Sequence, residues 1–357
     1  MSNAQDLFER RKSRPVRCGN LTIGGSAKIS IQTMAKTDTR DIRATVEEIQ
    51  EAVSAGADIV RVAVVDEQAA RAIKYIKEQV TCPIVADIHF DYKLAVESIK
   101  NGAAKVRINP GNIGQDWKVK ETVKIAKEYG VPIRVGANSG SLDKRFSSYE
   151  KPIALAESAL AQVKILESAG FEDIVISLKS SSVIETVEAN KYLYNKTDHP
   201  LHLGVTEAGF GLDSTVKSSI GIGTLLLNKI GDTIRVSMSG DPVQEIEVGL
   251  SILRSLKLRR GVDVISCPTC ARTEIDVEAL ARKVKSWVGN TDADLSVAVM
   301  GCVVNGIGEG TEADIGIAGT ASGGVIFVKG EIVEKVERAD LEARFRHWFK
   351  TVLSGGV

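Results

Sequence analysis

ADIVRVAVVDEQAARAIKYIKEQVTCPIVADIHF (57–90) decides the fold. Its two ends, ADIVRVAV (57–64) and PIVADIHF (83–90), are short Val- and Ile-rich runs, the composition of buried strands. Between them EQAARAIKYIKEQV (67–80) carries apolar residues at three- and four-residue steps, the period of an amphipathic helix. Strand, helix and strand in this order make a crossover unit, which joins parallel strands. The pattern recurs on both sides. KISIQTM (28–34), AKVRINPG (104–111), PIRVGANS (132–139), DIVISLKS (173–180), LHLGVTEA (201–208) and TIRVSMSG (233–240) supply six further strands. Gly56, Gly102, Gly130 and Gly170 stand where a helix ends and turns toward the next strand. Eight such units in a row up to about residue 257 match a (β/α)8 TIM-type barrel in count and size. A doubly wound open sheet usually has fewer strands, and no GxGxxG opens the first helix. Residues 14–27, with Gly19-Asn20 and Gly24-Gly25, read as a hairpin that plugs the barrel bottom.

The periodicity breaks at LRRGVD (258–263), so the barrel domain is expected over 1–260 and a second domain over 261–357. In the latter, VDVISCPTC leads a strand into a loop, DVEALARKVKSWV is helical, and DLSVAVMGC is a strand. ADIGIAG, GGVIFVKG and EIVEKV read as three short strands and LEARFRHWFK as a closing helix, a compact α+β unit.

Charge excludes some partners. Lys plus Arg and Asp plus Glu each total 46 of the 357 residues, which argues against nucleic acid or an anionic membrane. No apolar run approaches the roughly 18 residues of a membrane span. The N-terminus has no hydrophobic signal core, and five unevenly spaced cysteines do not make a disulfide framework. A reducing cytoplasm is the expected compartment.

Barrel enzymes carry their reacting groups at the C-terminal ends of the strands. Here those ends hold Arg61, Asp87, His89, Arg107, Asn109, Arg134, Asn138, Lys179, Thr206, Glu207, Arg235 and Ser237. One buried arginine reads as a structural ion pair. Four arginines and a lysine converging on one mouth call for an anion with several charges, because unpaired buried charge is costly. The arginine fork suits phosphate oxygens, so a diphosphate is the natural ligand. Asp87 and His89 are placed to orient a substrate hydroxyl. Glu207 reads equally as a proton donor or as an arginine partner. Lys179 also permits a Schiff-base reading, although phosphate contact suits its arginine-rich surroundings better. His199, His202 and His347 lie away from the strand C-termini and read as structural.

Cys267 and Cys270 form a CPTC pair, and Cys302 follows in GCVVNG. A CxxC pair alone fits a redox motif or structural zinc, but the former needs no third cysteine and the latter needs a fourth strong ligand. Three thiolates beside the loop NGIGEG are better explained by an iron–sulfur cluster with one unusual ligand, for which Glu309 is the candidate. Cys18 and Cys82 read as plain thiols.

RVAV (61–64), ADIHF (86–90), KVRINPGN (105–112), RVGANSGSL (134–142), SLKSS (177–181), GVTEAG (204–209), IRVSMSGDP (234–242), CPTC (267–270) and GCVVNGIGEG (301–310) occur in this order. Together they resemble the 4-hydroxy-3-methylbut-2-enyl diphosphate synthase family of the non-mevalonate isoprenoid pathway, in its short bacterial form. The resemblance runs from about residue 14 to 350. It implies a barrel that binds 2-C-methyl-D-erythritol 2,4-cyclodiphosphate and a C-terminal domain with a [4Fe-4S] cluster on Cys267, Cys270, Cys302 and Glu309. It implies a two-electron reductive ring opening, with Glu207 managing protons and Glu309 able to release its iron to a substrate oxygen. Electrons would come from ferredoxin or flavodoxin, since no nicotinamide or flavin motif is present. Two segments depart from the family pattern: GPGEA reads GIGEG (306–310), with Ile307 in place of the proline and Gly310 in place of the alanine, and the segment after strand one reads TMAKTDT (33–39) rather than SMTNTDT. An aldolase-type barrel with a zinc domain and an iron–sulfur sensor are the competing expectations.

The last barrel helix, about 241–257, ends some ~25 Å from the mouth at 1.5 Å per residue. About nine residues then precede Cys267, an extended reach of roughly 30 Å. That length barely returns the cysteines to their own mouth, so a head-to-tail homodimer is expected, each cluster unit capping its partner's barrel.

Overall fold

A computed structural model describes residues 10–109, 113, 115–138, 142, 144–288, 293–308 and 310–355. The chain divides after Arg259 into two compact units. Among the described residues no helix is long and apolar enough to cross a membrane.

The first unit opens with a hairpin, β1 (Val16–Cys18) and β2 (Leu21–Ile23). Then come β3 (Ser30–Met34), α1 (Ile42–Ala55), β4 (Ile59–Ala63), α2 (Glu67–Lys77), β5 (Ile84–Asp87), α3 (Tyr92–Lys100), β6 (Lys105–Arg107) and α4 (Asp116–Tyr129). β7 (Ile133–Asn138), α5 (Lys151–Ser168), β8 (Ile174–Lys179), α6 (Val183–Tyr194), β9 (His202–Leu203), α7 (Gly211–Leu227), β10 (Thr233–Ile234) and α8 (Pro242–Ser255) complete it. All eight strands from β3 to β10 are parallel, in the order β8-β7-β6-β5-β4-β3-β10-β9. The ends of that series meet through an Ile176–Leu201 bridge and through hydrogen bonds from Ile176 N to Pro200 O (2.9 Å) and from Thr206 N to Ser180 O (3.1 Å). The result is the expected (β/α)8 barrel.

The helices start where the sequence supplies caps. Asp41, Asp66, Asp91, Ser182 and Asp241 each accept a backbone N–H in the first turn of α1, α2, α3, α6 and α8. Such a cap stabilises a helix by about 1 kcal/mol. Residue alternation then sorts each strand. Val60, Val62, Ile84, Val106 and Ile176 face the helices and fill the main core. Ile59, Val85 and Val175 face inward at the bottom, where Val16, Cys18 and Ile23 of the hairpin pack on them. The hairpin turn fits because Gly19 adopts φ +61°, a region costly for other residues, beside Pro83 and Ala104.

The expectation of eight-residue strands at 201–208 and 233–240 fails: β9 and β10 pair over only two residues each. Glu207, left-handed at φ 51°, interrupts the extended run of the first.

The second unit contains β11 (Val262–Ser266), α9 (Val277–Val288), β12 (Leu295–Met300), α10 (Val303–Gly308), β13 (Ile315–Thr320), β14 (Gly323–Val328), β15 (Glu331–Glu337) and α11 (Leu341–Leu353). The strands form one sheet in chain order, with β11–β13 parallel and β13–β15 antiparallel. Leu280 and Val284 of α9 and Phe345 and Phe349 of α11 pack with Val297, Val299, Ile315, Ile317 and Ile326. Alternation sends Ala298, Met300, Ala318 and Phe327 to a separate cluster. There the Phe327 ring lies against Gly316, whose absent Cβ would fall 2.1 Å from Cζ.

Candidate active site

Above the apolar floor, the inward residues of the barrel strands turn polar. Ser30 and Gln32 (β3), Lys105 (β6), Ser177 (β8) and His202 (β9) are all buried. Two residues further along β6 and β8 stand Arg107 and Lys179, because inward positions recur with period two. Arg61, Asp87, His89, Arg107, Arg134, Asn138, Lys179, Thr206, Arg235 and Ser237 line one cavity of about 160 Å3, together with Ser177. Two residues named from the sequence are not in this lining. Asn109 follows β6 at partial exposure, and Glu207 is exposed at the rim. The barrel itself therefore does not desolvate Glu207. A larger groove of about 620 Å3, between Lys120, Lys124, Lys127 and Ser168, collects no such convergence, so size does not mark the site.

Asp87 organises one side of the cavity. Its carboxylate receives Arg107 Nη1 at 3.2 Å and lies 3.8 Å from Arg61 Nε and 3.5 Å from His89 Nε2. Burial pushes this carboxyl up. Arg61, the His89 hydrogen bond, Arg107 and Arg134 together outweigh burial and hold it well below the usual carboxylate range. Arg107 Nη1 also lies 2.9 Å from His89 Nε2, so that ring nitrogen stands between the guanidinium and the Asp87 carboxylate, and the tautomer sets which of the two it bonds. Arg61 directs Nη2 at the Met34 thioether, 2.9 Å away, which is a weak acceptor. Burial lowers Arg61 to about 10, with Asp87 opposing the shift.

On the opposite side the carboxylate comes from a residue that sequence reasoning missed. Glu245, 3% exposed in the first turn of α8, accepts from Thr33 Oγ1 (3.1 Å) and Met238 N (3.1 Å) and lies 3.5 Å from Arg235 Nη2. Its sequence setting is that of any helix-starting glutamate, so nothing distinguished it. Four arginines and a lysine thus face two carboxylates. Arg134 is 2% exposed, and its Nε and Nη1 find no acceptor within the described protein. Burial lowers its pKa strongly, and Arg61 and Arg107 add to the shift. A guanidinium buried with empty donors beside other cations is built for an anion that arrives from outside.

Lys179, at the end of β8, is also buried at the mouth. Its Nζ lies 3.2 Å from His202 Nε2, and both side chains are buried. Gly204 makes room for it: a Cβ there would fall 2.8 Å from Nζ and 2.4 Å from Arg235 O. Gly136 does the same on β7, where a Cβ would fall 2.2 Å from Ser177 O. Ser177 and Lys105 were also missed, although alternation from Lys179 and Arg107 reaches both.

In the second unit, Cys267 follows β11 and Cys302 follows β12, at the same end of two adjacent parallel strands. Thr269 takes the left-handed conformation (φ 64°) that curls CPTC back on itself, and Cys270 N donates to Thr273 Oγ1. Gly301 N donates to Cys267 Sγ at 3.1 Å, the kind of amide contact that tunes a cluster-bound sulfur. All five cysteines are among the described residues, and none forms a disulfide. Among the described residues no three His, Cys, Asp or Glu side chains are close enough to hold a single metal ion. Cysteine thiols at one end of two adjacent strands are donors of the type that a zinc ion or an iron–sulfur cluster takes. Glu309 lies outside the described residues.

Residues 13–250 match the model of the GcpE TIM-barrel domain, and residues 263–351 that of the GcpE protein C-terminal domain. The chain is 54% identical over 343 residues to the 4-hydroxy-3-methylbut-2-en-1-yl diphosphate synthase (flavodoxin) of Thermotoga petrophila, covering 96% of this chain and 98% of the relative. It is 54% identical over 338 residues to the enzyme of that name from Clostridium perfringens, covering 94% and 97%. The solved Xanthomonas albilineans dihydropteroate synthase, at 13% identity and TM-score 0.50, covers 69% of this chain and 98% of its own, a likeness of fold alone.

Proposed function

Because the chain belongs to the GcpE family, we infer that it catalyses the reaction for which its relatives are named. It is an enzyme that reduces 2-C-methyl-D-erythritol 2,4-cyclodiphosphate to 4-hydroxy-3-methylbut-2-enyl diphosphate, taking up two electrons and releasing water. The observation that carries the assignment to this cavity is Arg134, buried with unused donors among four other cations. In this reading Arg61, Arg107, Arg134, Lys179 and Arg235 grip the diphosphate. Asp87, His89, Asn109, Asn138, Thr206 and Ser237 orient the carbon skeleton by hydrogen bonds. Glu207, on strained left-handed backbone at the rim, handles the proton of the departing oxygen.

Cys267, Cys270, Cys302 and Glu309 would hold a [4Fe-4S] cluster, which when bound supplies electrons singly and a Lewis-acidic iron. The carboxylate of Glu309 binds iron less tenaciously than a thiolate and so leaves one coordination position exchangeable. Flavodoxin is the proposed electron donor, as the relatives' names state for them, with ferredoxin the alternative. Five cysteines with no disulfide among them suit a reducing compartment, and the cytoplasm is the proposed location. A second copy completes the site. The short linker favours capping by a neighbour, and α7 leaves Leu212, Val216 and Ile220 exposed at four-residue steps, a stripe that a second copy would cover. The aldolase reading is not favoured, since no carbon–carbon cleavage is named for these relatives.

Anaerobic reconstitution tests the whole reading. Dithionite-reduced protein is expected to convert the cyclodiphosphate and to change its electron paramagnetic resonance signal on adding it. A reduced cluster whose signal ignores the cyclodiphosphate, with no product formed, overturns the assignment.

A further inference from the structure

Lys179 and His202 bring two bases into contact in a place where only one added proton is tolerable. Lys179 Nζ and His202 Nε2 are 3.2 Å apart, on neighbouring strands across the closing seam of the barrel. His202 is fully buried, and its Nδ1 meets no acceptor or donor among the described residues. The groups that face the pair are Arg61 from β4, Lys105 from β6, Arg134 from β7, Arg235 beyond β10 and Glu245 from α8. Four are cationic and one is a carboxylate already held by Thr33, Met238 and Arg235. Two arrangements satisfy the contact. A neutral amine accepts from His202 Nε2–H, or an ammonium donates to a bare Nε2 while the ring proton sits on Nδ1.

Resting on the cavity reading above, we propose that an anion entering the cavity draws one proton into the Lys179–His202 pair. Lys179 enters binding as an amine and leaves it as an ammonium, while His202 moves its ring proton from Nε2 to Nδ1. In the empty cavity the surrounding arginines oppose a further positive charge, and burial disfavours it as well. Both groups are accordingly held well below their ordinary values, by burial first and by the neighbouring cations next. A doubly charged anion reverses the local field and makes the ammonium the favoured form. His202 is thus a positioning residue: it gives the new ammonium an acceptor on the side away from the ligand.

Inorganic sulfate is the probe, because its own charge does not change near neutral pH. Calorimetric titration of the full-length protein at pH 8, in two buffers of different ionisation enthalpy, reads the protons taken up. Uptake of up to one proton per sulfate is expected, with affinity falling as pH rises by up to about tenfold per unit. Lys179→Arg, charged in both states, is expected to bind sulfate without uptake. His202→Gln, whose carbonyl accepts from an ammonium in both states, is expected to reduce the uptake and flatten the pH profile. With only four histidines in the chain, ring 15N spectra are expected to show one of them exchanging tautomer on sulfate addition. A buffer-independent binding enthalpy in the unmodified protein overturns the inference while leaving the cavity reading intact. Sulfate affinity unchanged by Arg134→Ala overturns both.

Discussion

Glu245 Oε1 lies 3.5 Å from Arg235 Nη2 and accepts from Met238 N, while Oε2 accepts from Thr33 Oγ1. One carboxylate from a helix therefore ties together β3, the segment after β10 and a cationic group of the cavity. Removing it leaves the half-buried Arg235 without this counter-ion. Glu245→Gln keeps the Met238 bond through its carbonyl and reverses the Thr33 bond, its amide donating to Oγ1, and is expected to cost about 1–2 kcal/mol; Glu245→Ala is expected to cost about 3 kcal/mol or more. Steady-state kinetics on the Gln variant should show KM for the cyclodiphosphate rising severalfold with a smaller change in kcat. An unchanged KM would mean that Arg235 does not rely on this contact.

Arg134 is predicted to trade stability for binding. In the empty protein its buried charge is uncompensated, so Arg134→Met is expected to raise Tm by a few degrees. Inorganic diphosphate at 100 times Kd should add about 2.7 kcal/mol to the unmodified protein and almost nothing to the variant. Differential scanning fluorimetry with and without diphosphate measures both halves.

Lys105 gives a pH signature of its own. It is fully buried, and burial lowers it to about 8 from the ordinary 10.5, with Arg134 and Arg61 adding to the shift and Cys18 opposing it. Between these values the unfolded chain binds more protons than the folded one, so stability rises with pH across that window. The penalty is full below pH 8 and gone above about 10.5. Lys105→Met is therefore expected to stabilise the protein by on the order of 3 kcal/mol at pH 7, the gain shrinking toward pH 10.5. Urea unfolding of both proteins across that range checks it. A gain independent of pH would assign the effect to packing instead.

Complementation tests the second copy. Cys302→Ser and Glu207→Gln chains, each inactive alone, are expected to recover about a quarter of normal activity after co-refolding, because half the dimers are mixed and each has one intact site. Activity no higher than either parent would exclude capping by a neighbour.

Much of this architecture is legible from periodicity alone. Capped helices after each strand and inward alternation at Arg107, Lys179 and Arg235 placed the barrel and most of its mouth. What escaped did so for physical reasons. His202 and Lys105 sit one inward step below the strand ends, where a barrel interior is ordinarily apolar. Glu245 belongs to a helix, and a helix residue reaches a barrel mouth only through tertiary packing. The shortness of β9 and β10 was hidden because apolar content continues past the point where regular pairing ends. In the second unit the cysteines were identified by spacing, but their common placement at the ends of β11 and β12 required the parallel register.

The seam between β8 and β9 is sealed by one bridge, with hydrogen bonds at its lower and upper ends, and Lys179 and His202 face each other across it. A barrel has no free edge until some joint parts, and sparse pairing makes this joint the natural first opening. Amide hydrogen exchange along 200–206 should accordingly be faster than along 84–87, and anion binding should slow it selectively. Occupancy of the cavity would then act as a fastener, so that the enzyme is most closed as a barrel while it holds its substrate.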